Sequence, residues 1–191
     1  MDLTAITPTP AALRALAHPV RLRMLGLLRI EGPATATALA MRLGLNTGAT
    51  SYHLRHLAQH GFIVEDAERG NARDRWWRAV HQATTTGPEP PGDQEAAEVL
   101  DAYLQSVAVV LTGQLQRAME ERPLLPEAWR NASEFGDYVL RLTPARARRL
   151  RDALHEVILG TEEDPEGGES EQFVVQLTAF PLPGTVTGDP V

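Results

Sequence analysis

Apolar residues recur every third or fourth position over the first third of the chain and then switch to strict alternation, so the N-terminal part divides into helices followed by strands. Thr9-Pro10 supplies a cap and a first-turn proline for a short helix to Ala17. His18-Pro19 does the same for a helix to Ile30, whose apolar face carries Leu22, Leu25 and Leu28, and Gly32-Pro33 ends it. Thr35 caps a third helix with Leu39, Ala40 and Leu43 on one side. Gly44-Leu45-Asn46 reads as a tight turn into a fourth helix, Thr47 to His60, with Leu54, Leu57 and Ala58 inward. After Gly61 the period is two. Phe62 to Glu65 and Arg75 to Val80 read as strands joined by Asp66 to Asp74, with Gly70-Asn71 at the tip. Helices, a turn and a β-hairpin in this order predict a winged helix-turn-helix arrangement over residues 1–81.

The next segment, 82–94, is rich in Thr, Pro and Gly without apolar periodicity and reads as a linker. Asp93 then caps a helix from Gln94 to Glu121 that carries Ala96, Leu100, Tyr103, Leu104, Val107, Leu111 and Leu115 as one stripe. A second copy of the chain is the simplest cover for that stripe, which makes Leu100, Tyr103, Leu104, Val107, Leu111 and Leu115 the candidate dimerisation residues. The alternative cover is a sheet of the same subunit. Beyond Arg122-Pro123 the pattern predicts a short helix at Glu127 to Asn131, a strand at Tyr138 to Leu142 and a helix from Thr143-Pro144 to Leu159. An acidic loop, Gly160 to Ser170, and an alternating strand, Phe173 to Phe180, follow. The predicted fold is therefore mainly α with α+β character: an N-terminal winged helix-turn-helix domain, a long dimerisation helix and a small α+β module within 95–191. Tyr103, Trp129, Phe135 and Tyr138 either line an apolar pocket or are core aromatics.

Charge sharpens this division. The chain of 191 residues has 18 basic residues, all arginine, against 25 acids. Residues 1–82 hold ten arginines and six acids, a net charge of +4, whereas 83–191 hold eight and nineteen, a net charge of −11. Only the first half is suited to a polyanion such as double-stranded DNA. The absence of cysteine excludes disulfides, thiolate metal sites and cysteine nucleophiles. No apolar run is read as a membrane span and the N-terminus lacks signal-peptide character, so the expectation is a cytoplasmic protein with no membrane partner.

The fourth helix has an outer face suited to a major groove. Thr47, Gly48, Thr50 and Ser51 are small residues at its N-terminal end, where backbone and hydroxyls can approach phosphates or bases, while His53, Arg55 and His56 add charge and reach. Arg69, Asn71, Arg73 and Arg75 cluster around the hairpin tip and suit a phosphate row or a minor groove. His53, His56 and His60 have helical spacing that would allow imidazole ligation of a metal, but no carboxylate completes such a site, and groove-facing or capping roles are favoured; no metal or cofactor is expected. Nothing orients a base toward Ser51, and coupled acids in a cleft are not evident, so an enzyme is not expected.

LRALAHPVRLRMLGLL (13–28) followed by ALAMRLGLNTGATSYHLRHLAQHGFIVEDAERGNARDRWW (38–77) resembles the ArsR-type winged-helix repressors, most specifically in SYHLRHLAQHGFIVE (51–65). The resemblance covers about residues 11–81. It implies a homodimeric bacterial transcription regulator with the 47–60 helix as recognition helix, the 62–80 hairpin as wing, and an inducer that changes affinity for a DNA operator. Metal-sensing members carry cysteines at the start of the helix preceding the recognition helix; here that stretch, Ala34 to Leu39, reads ATATAL, which excludes thiolate sensing. A signal would therefore enter elsewhere, as a small-molecule effector or a protein partner at the C-terminal half. The competing reading is a protein-interaction module that retains the winged-helix shape and binds its partner through the acidic half.

Overall fold

The computed structural model describes residues 4–69, 74–86, 92–165 and 167–186. It divides into two units, Met1–Leu125 and Pro126–Val191.

The first unit opens with a two-residue strand β1 (Ala5–Ile6) and helices α1 (Pro10–Leu16) and α2 (Pro19–Ile30). Both helices start as the sequence predicts: Thr9 Oγ1 accepts from the Ala12 amide at 3.3 Å and His18 Nδ1 from the Val20 amide at 3.2 Å, each with proline at the first helical position. Strand β2 (Ala34–Thr35) leads into α3 (Ala36–Leu43) and α4 (Thr47–Gln59), and the hairpin β3 (Ile63–Glu65) and β4 (Trp76–Ala79) follows. The hairpin is antiparallel, with Val64 opposite Arg78, and β2 pairs antiparallel with the other edge of β4, giving the order β2-β4-β3. Of the two adjacent tryptophans, Trp77 is buried and Trp76 is not, as alternation along a strand requires.

The core is one cluster in which Leu16, Met24, Leu25, Leu54, Leu57, Phe62 and Ile63 are essentially inaccessible. Two further contributors, Val99 and Tyr103, come from α5 (Gln94–Glu121), which packs on α1 and α2. This corrects the expected assignment of Tyr103 to a dimer contact. The helix turns Ala96, Val99, Tyr103 and Ser106 into its own subunit, with Leu100 and Val107 partly covered there, because α1 and α2 expose apolar surface too broad for their own side chains to close. Burial raises the Tyr103 phenol above its ordinary value. Leu104 and Leu115 remain exposed, as does Met119 on the same stripe.

The expected linker is likewise partly structured. Ala83–Thr84 forms a strand, β5, parallel to β1, and Arg29 ties it down through hydrogen bonds from Nε to the His81 carbonyl (2.8 Å) and from Nη2 to Thr84 Oγ1 (2.9 Å). The boundary between units thus falls after Leu125 instead of within 82–94. By length and composition α5 with the 3₁₀ turn that follows it, Gln94–Leu124, also passes for a membrane span, contrary to the sequence expectation; four of its side chains are buried in the first unit's fold.

The second unit contains α6 (Glu127–Ala132) and α7 (Pro144–Leu159). Thr143 caps α7 as predicted, its Oγ1 accepting from the Arg146 amide at 3.3 Å. The predicted strands at Tyr138–Leu142 and Phe173–Phe180 do not form: both segments are without ladder pairing, so the α+β module is absent among the described residues. Alternation favours a strand only where another strand completes its hydrogen bonds. Phe135 and Tyr138 are exposed in the second unit, while Tyr103 belongs to the core of the first.

Candidate nucleic-acid interface

Helix α3 ends at Gly44, whose left-handed backbone (φ 66°, ψ 37°) lets the Leu45 amide return to the Ala40 carbonyl at 2.9 Å. Two residues later Asn46 starts α4, its Oδ1 accepting from the Ala49 amide at 2.8 Å. The short turn holds the two helices at a fixed angle, and β2, pairing with β4 at Trp76 and Trp77, brings the start of α3 against the loop end of the hairpin.

The product is an open cleft of about 300 Å³ lined by Thr35, Ala36, Thr37, Thr47, Ser51, Arg55, Asp74, Arg75 and Trp77. It gathers the N-terminal ends of α3 and α4, the hydroxyls of Thr37, Thr47 and Ser51, and two guanidinium groups. Helix N-termini present unpaired amides and partial positive charge, and hydroxyls and arginines are the usual donors to phosphate oxygens. Arg55 is exposed and forms no ion pair among the described residues. Arg75 pairs with Glu65 at 3.1 Å and lies over Trp77 with its guanidinium carbon 5.7 Å from the ring centre. Both members of that pair are about half exposed, so the pair is weak, on the order of 0–1 kcal/mol, and a phosphate can take the place of the carboxylate.

The sequence-derived candidates separate under this geometry. Thr47, Ser51, Arg55 and Arg75 meet in the cleft, and Gly48 is exposed beside Thr47. An added Cβ at Gly48 would meet only Asn46 Oδ1, at 3.4 Å, so the fold itself does not demand glycine there; its absence of a side chain leaves the backbone approachable. Thr50 is a correction. Its side chain is wholly buried and its hydroxyl donates to the Asn46 carbonyl at 3.0 Å, because position 50 lies on the same helical stripe as Leu54 and Leu57. Arg69 is exposed and faces Asp66 at 3.7 Å, while Asn71 and Arg73 lie outside the described residues.

His53 and His56 occupy the flank of α4 that faces the start of α2, not its open face. The His18 and His53 rings are 4.8 Å apart, and the His56 and His60 rings stack at 5.1 Å. Nδ1 of His53 and of His56 is shielded from solvent without a hydrogen-bond partner. Burial is the main force holding the His18, His53 and His56 imidazoles below their ordinary pKa; Arg21 adds to it at all three, and His18 adds to it at His53 ahead of Arg21. These rings are neutral packing elements at pH 7, and no group of three metal-ligating side chains occurs among the described residues.

Sequence reasoning missed Thr37, Asp74 and Trp77 as lining residues, and Tyr52, which is exposed on α4. Only the β2–β4 pairing, a two-residue contact without periodic signal, unites Thr37 with the hairpin.

A helix-turn-helix domain family matches residues 16–66, which run from the end of α1 through the α3–α4 pair to just beyond β3. The winged-helix arrangement and the cleft agree with that match: this part of the chain is a helix-turn-helix domain, a fold that points to DNA binding. Among solved structures the chain is similar to a double mutant of Lactococcus lactis ZitR in apo form, at 14% identity over 73% of this chain and 81% of that one, with a TM-score of 0.32. No curated protein matches the chain.

Proposed function

We propose that this chain is a cytoplasmic transcription regulator of the ArsR type that binds a DNA operator as a homodimer and acts as a repressor. In this reading α4 enters the major groove, a phosphate lies in the cleft between the starts of α3 and α4 and the start of β4, and the hairpin follows the backbone or the minor groove. The observation that carries the reading is the convergence of two helix N-termini, three hydroxyls, Arg55 and Arg75 on one open cleft. The stripe on α5 formed by exposed Leu104 and Leu115 with half-buried Leu111 between them is the subunit contact, which presents two copies of α4 to a two-fold site. Control enters through a non-metal ligand or a protein partner at the C-terminal half, since the stretch from Ala34 to Leu39 has no sulfur ligand.

Fluorescence anisotropy of labelled genomic duplexes over a salt series tests this. Affinity should fall steeply with salt, and Arg55→Ala should weaken all duplexes while reducing the log–log salt slope by about one. A wild-type protein without affinity for any duplex at low salt would remove DNA binding from the account.

A further inference from the structure

Helix α7 carries its charges in the reverse of the order an isolated helix favours. The macrodipole stabilises acids near the first turn and bases near the last. Here the first turn has no acid and the last turn no base. Arg146, Arg148 and Arg149 occupy the N-terminal half, whereas Glu162, Glu163 and Asp164 follow the C-terminal end. None of these six forms an ion pair among the described residues, the helix's one such pair being Arg151 with its neighbour Asp152 at 2.6 Å. The same helix bears an apolar stripe at spacings of four, Leu150, Leu154 and Ile158, which stay 41%, 39% and 38% exposed.

Both mismatches are relieved by one arrangement. We propose that two copies of this chain pair their α7 helices antiparallel, Leu154 against its own counterpart at the two-fold axis, with Arg146 of each facing Glu162 beyond the end of the other. The two features fit one register. Centring on Leu154 places Leu150 opposite Ile158 of the second copy and Arg146 opposite its Glu162, so the apolar and charged matches coincide. Antiparallel helices also set opposite dipole ends together. A second copy is favoured over an anionic surface because residues 126–191 hold six arginines against twelve acids, and DNA or an acidic membrane would be repelled by the unit as a whole. This inference rests on the homodimer reading above and adds a second contact to the one on α5.

The absence of cysteine in the chain makes disulfide mapping unambiguous. Facing positions of two packed helices bring their Cα atoms within the roughly 4.4–6.8 Å a disulfide spans, whereas positions offset by eight residues lie about 12 Å apart along the axis. Full-length Leu154→Cys should therefore oxidise to a covalent dimer. Leu150→Cys and Ile158→Cys should each remain uncrosslinked alone and crosslink when mixed. Arg146→Glu, and separately Glu162→Arg, should each reduce the Leu154→Cys crosslinking yield at least about fivefold, and mixing the two should restore it. Sedimentation of the wild type distinguishes the failures. A monomer at all concentrations overturns both the homodimer and this contact. A wild-type dimer in which Leu154→Cys does not crosslink, or in which Leu150→Cys crosslinks with itself as readily, overturns the α7 contact and leaves the homodimer standing. Binding of a duplex or a phosphatidylserine vesicle that depends on Arg146 and Arg149, without Leu154→Cys crosslinking, would assign the arginines to an anionic surface instead.

Discussion

Arg55 and Ser51 are one helical turn apart on α4 and share a cleft, yet they differ in what they can contribute to a nucleic acid. The guanidinium brings a full charge, whose effect on affinity is salt-dependent, while the hydroxyl brings a neutral hydrogen bond. Ser51→Ala should therefore weaken duplex binding by about 0.5–1.5 kcal/mol and leave the salt slope unchanged, in contrast to Arg55→Ala. Equilibrium titrations at three or more salt concentrations separate the two. Histidines on the flank of the same helix have a different, stability-linked consequence. Because the folded protein holds His18, His53 and His56 below the ordinary value of 6.5, it binds fewer protons than the unfolded chain. Their neutral packing is fully present above that value and is lost as pH falls through the lowered folded values, and Tyr52, His60 and Arg21 are the other titratable groups near these rings. Melting temperature should drop on acidification from about pH 7.5 to pH 5.5, and His53→Gln should flatten that dependence. An unchanged profile in the variant would separate His53 from the effect. Thr50 shows where residue-level reading goes astray: its hydroxyl suggests a groove contact, but its spacing from Leu54 and Leu57 already places it in the core.

At the scale of elements, the α3–turn–α4 pair was legible because each boundary has a local chemical cause. Thr35 and Asn46 satisfy free amides, and Gly44 takes a conformation that other residues adopt only with strain. Gly44→Ala should destabilise by about 1 kcal/mol through its positive φ, and Asn46→Ala by about 1 kcal/mol through the lost cap. Urea unfolding curves with unchanged slopes check both. Strands β1, β2 and β5 were not legible, since two-residue ladders carry no alternation to detect. The reverse failure occurs at Phe173–Phe180, where the alternation is plain and the pairing absent.

For the whole molecule, the decisive element is α5. Deleting everything after residue 81 would uncover the surface of α1 and α2 that Val99 and Tyr103 close, at a cost on the order of 5 kcal/mol. That is comparable to the roughly 5–15 kcal/mol by which domains are stable. A fragment of residues 1–81 should therefore lack a cooperative melt, whereas a fragment of residues 1–125 should melt cooperatively; calorimetry on the pair decides it. A cooperative transition in the shorter fragment would show that the helix is not needed for the fold.

Sequence alone determined the four N-terminal helices, their caps, the hairpin and the concentration of positive charge in the first half. Each depends on neighbours within a few positions or on composition. Tertiary structure decided that Val99 and Tyr103 of α5 belong to the core of their own subunit, which of the polar residues on α4 face outward, and that Thr37 and Arg75 border the same cleft. The reason is physical: an amphipathic pattern states that a face must be covered, because exposed apolar surface is costly, but the hydrophobic effect has no direction and does not name the partner.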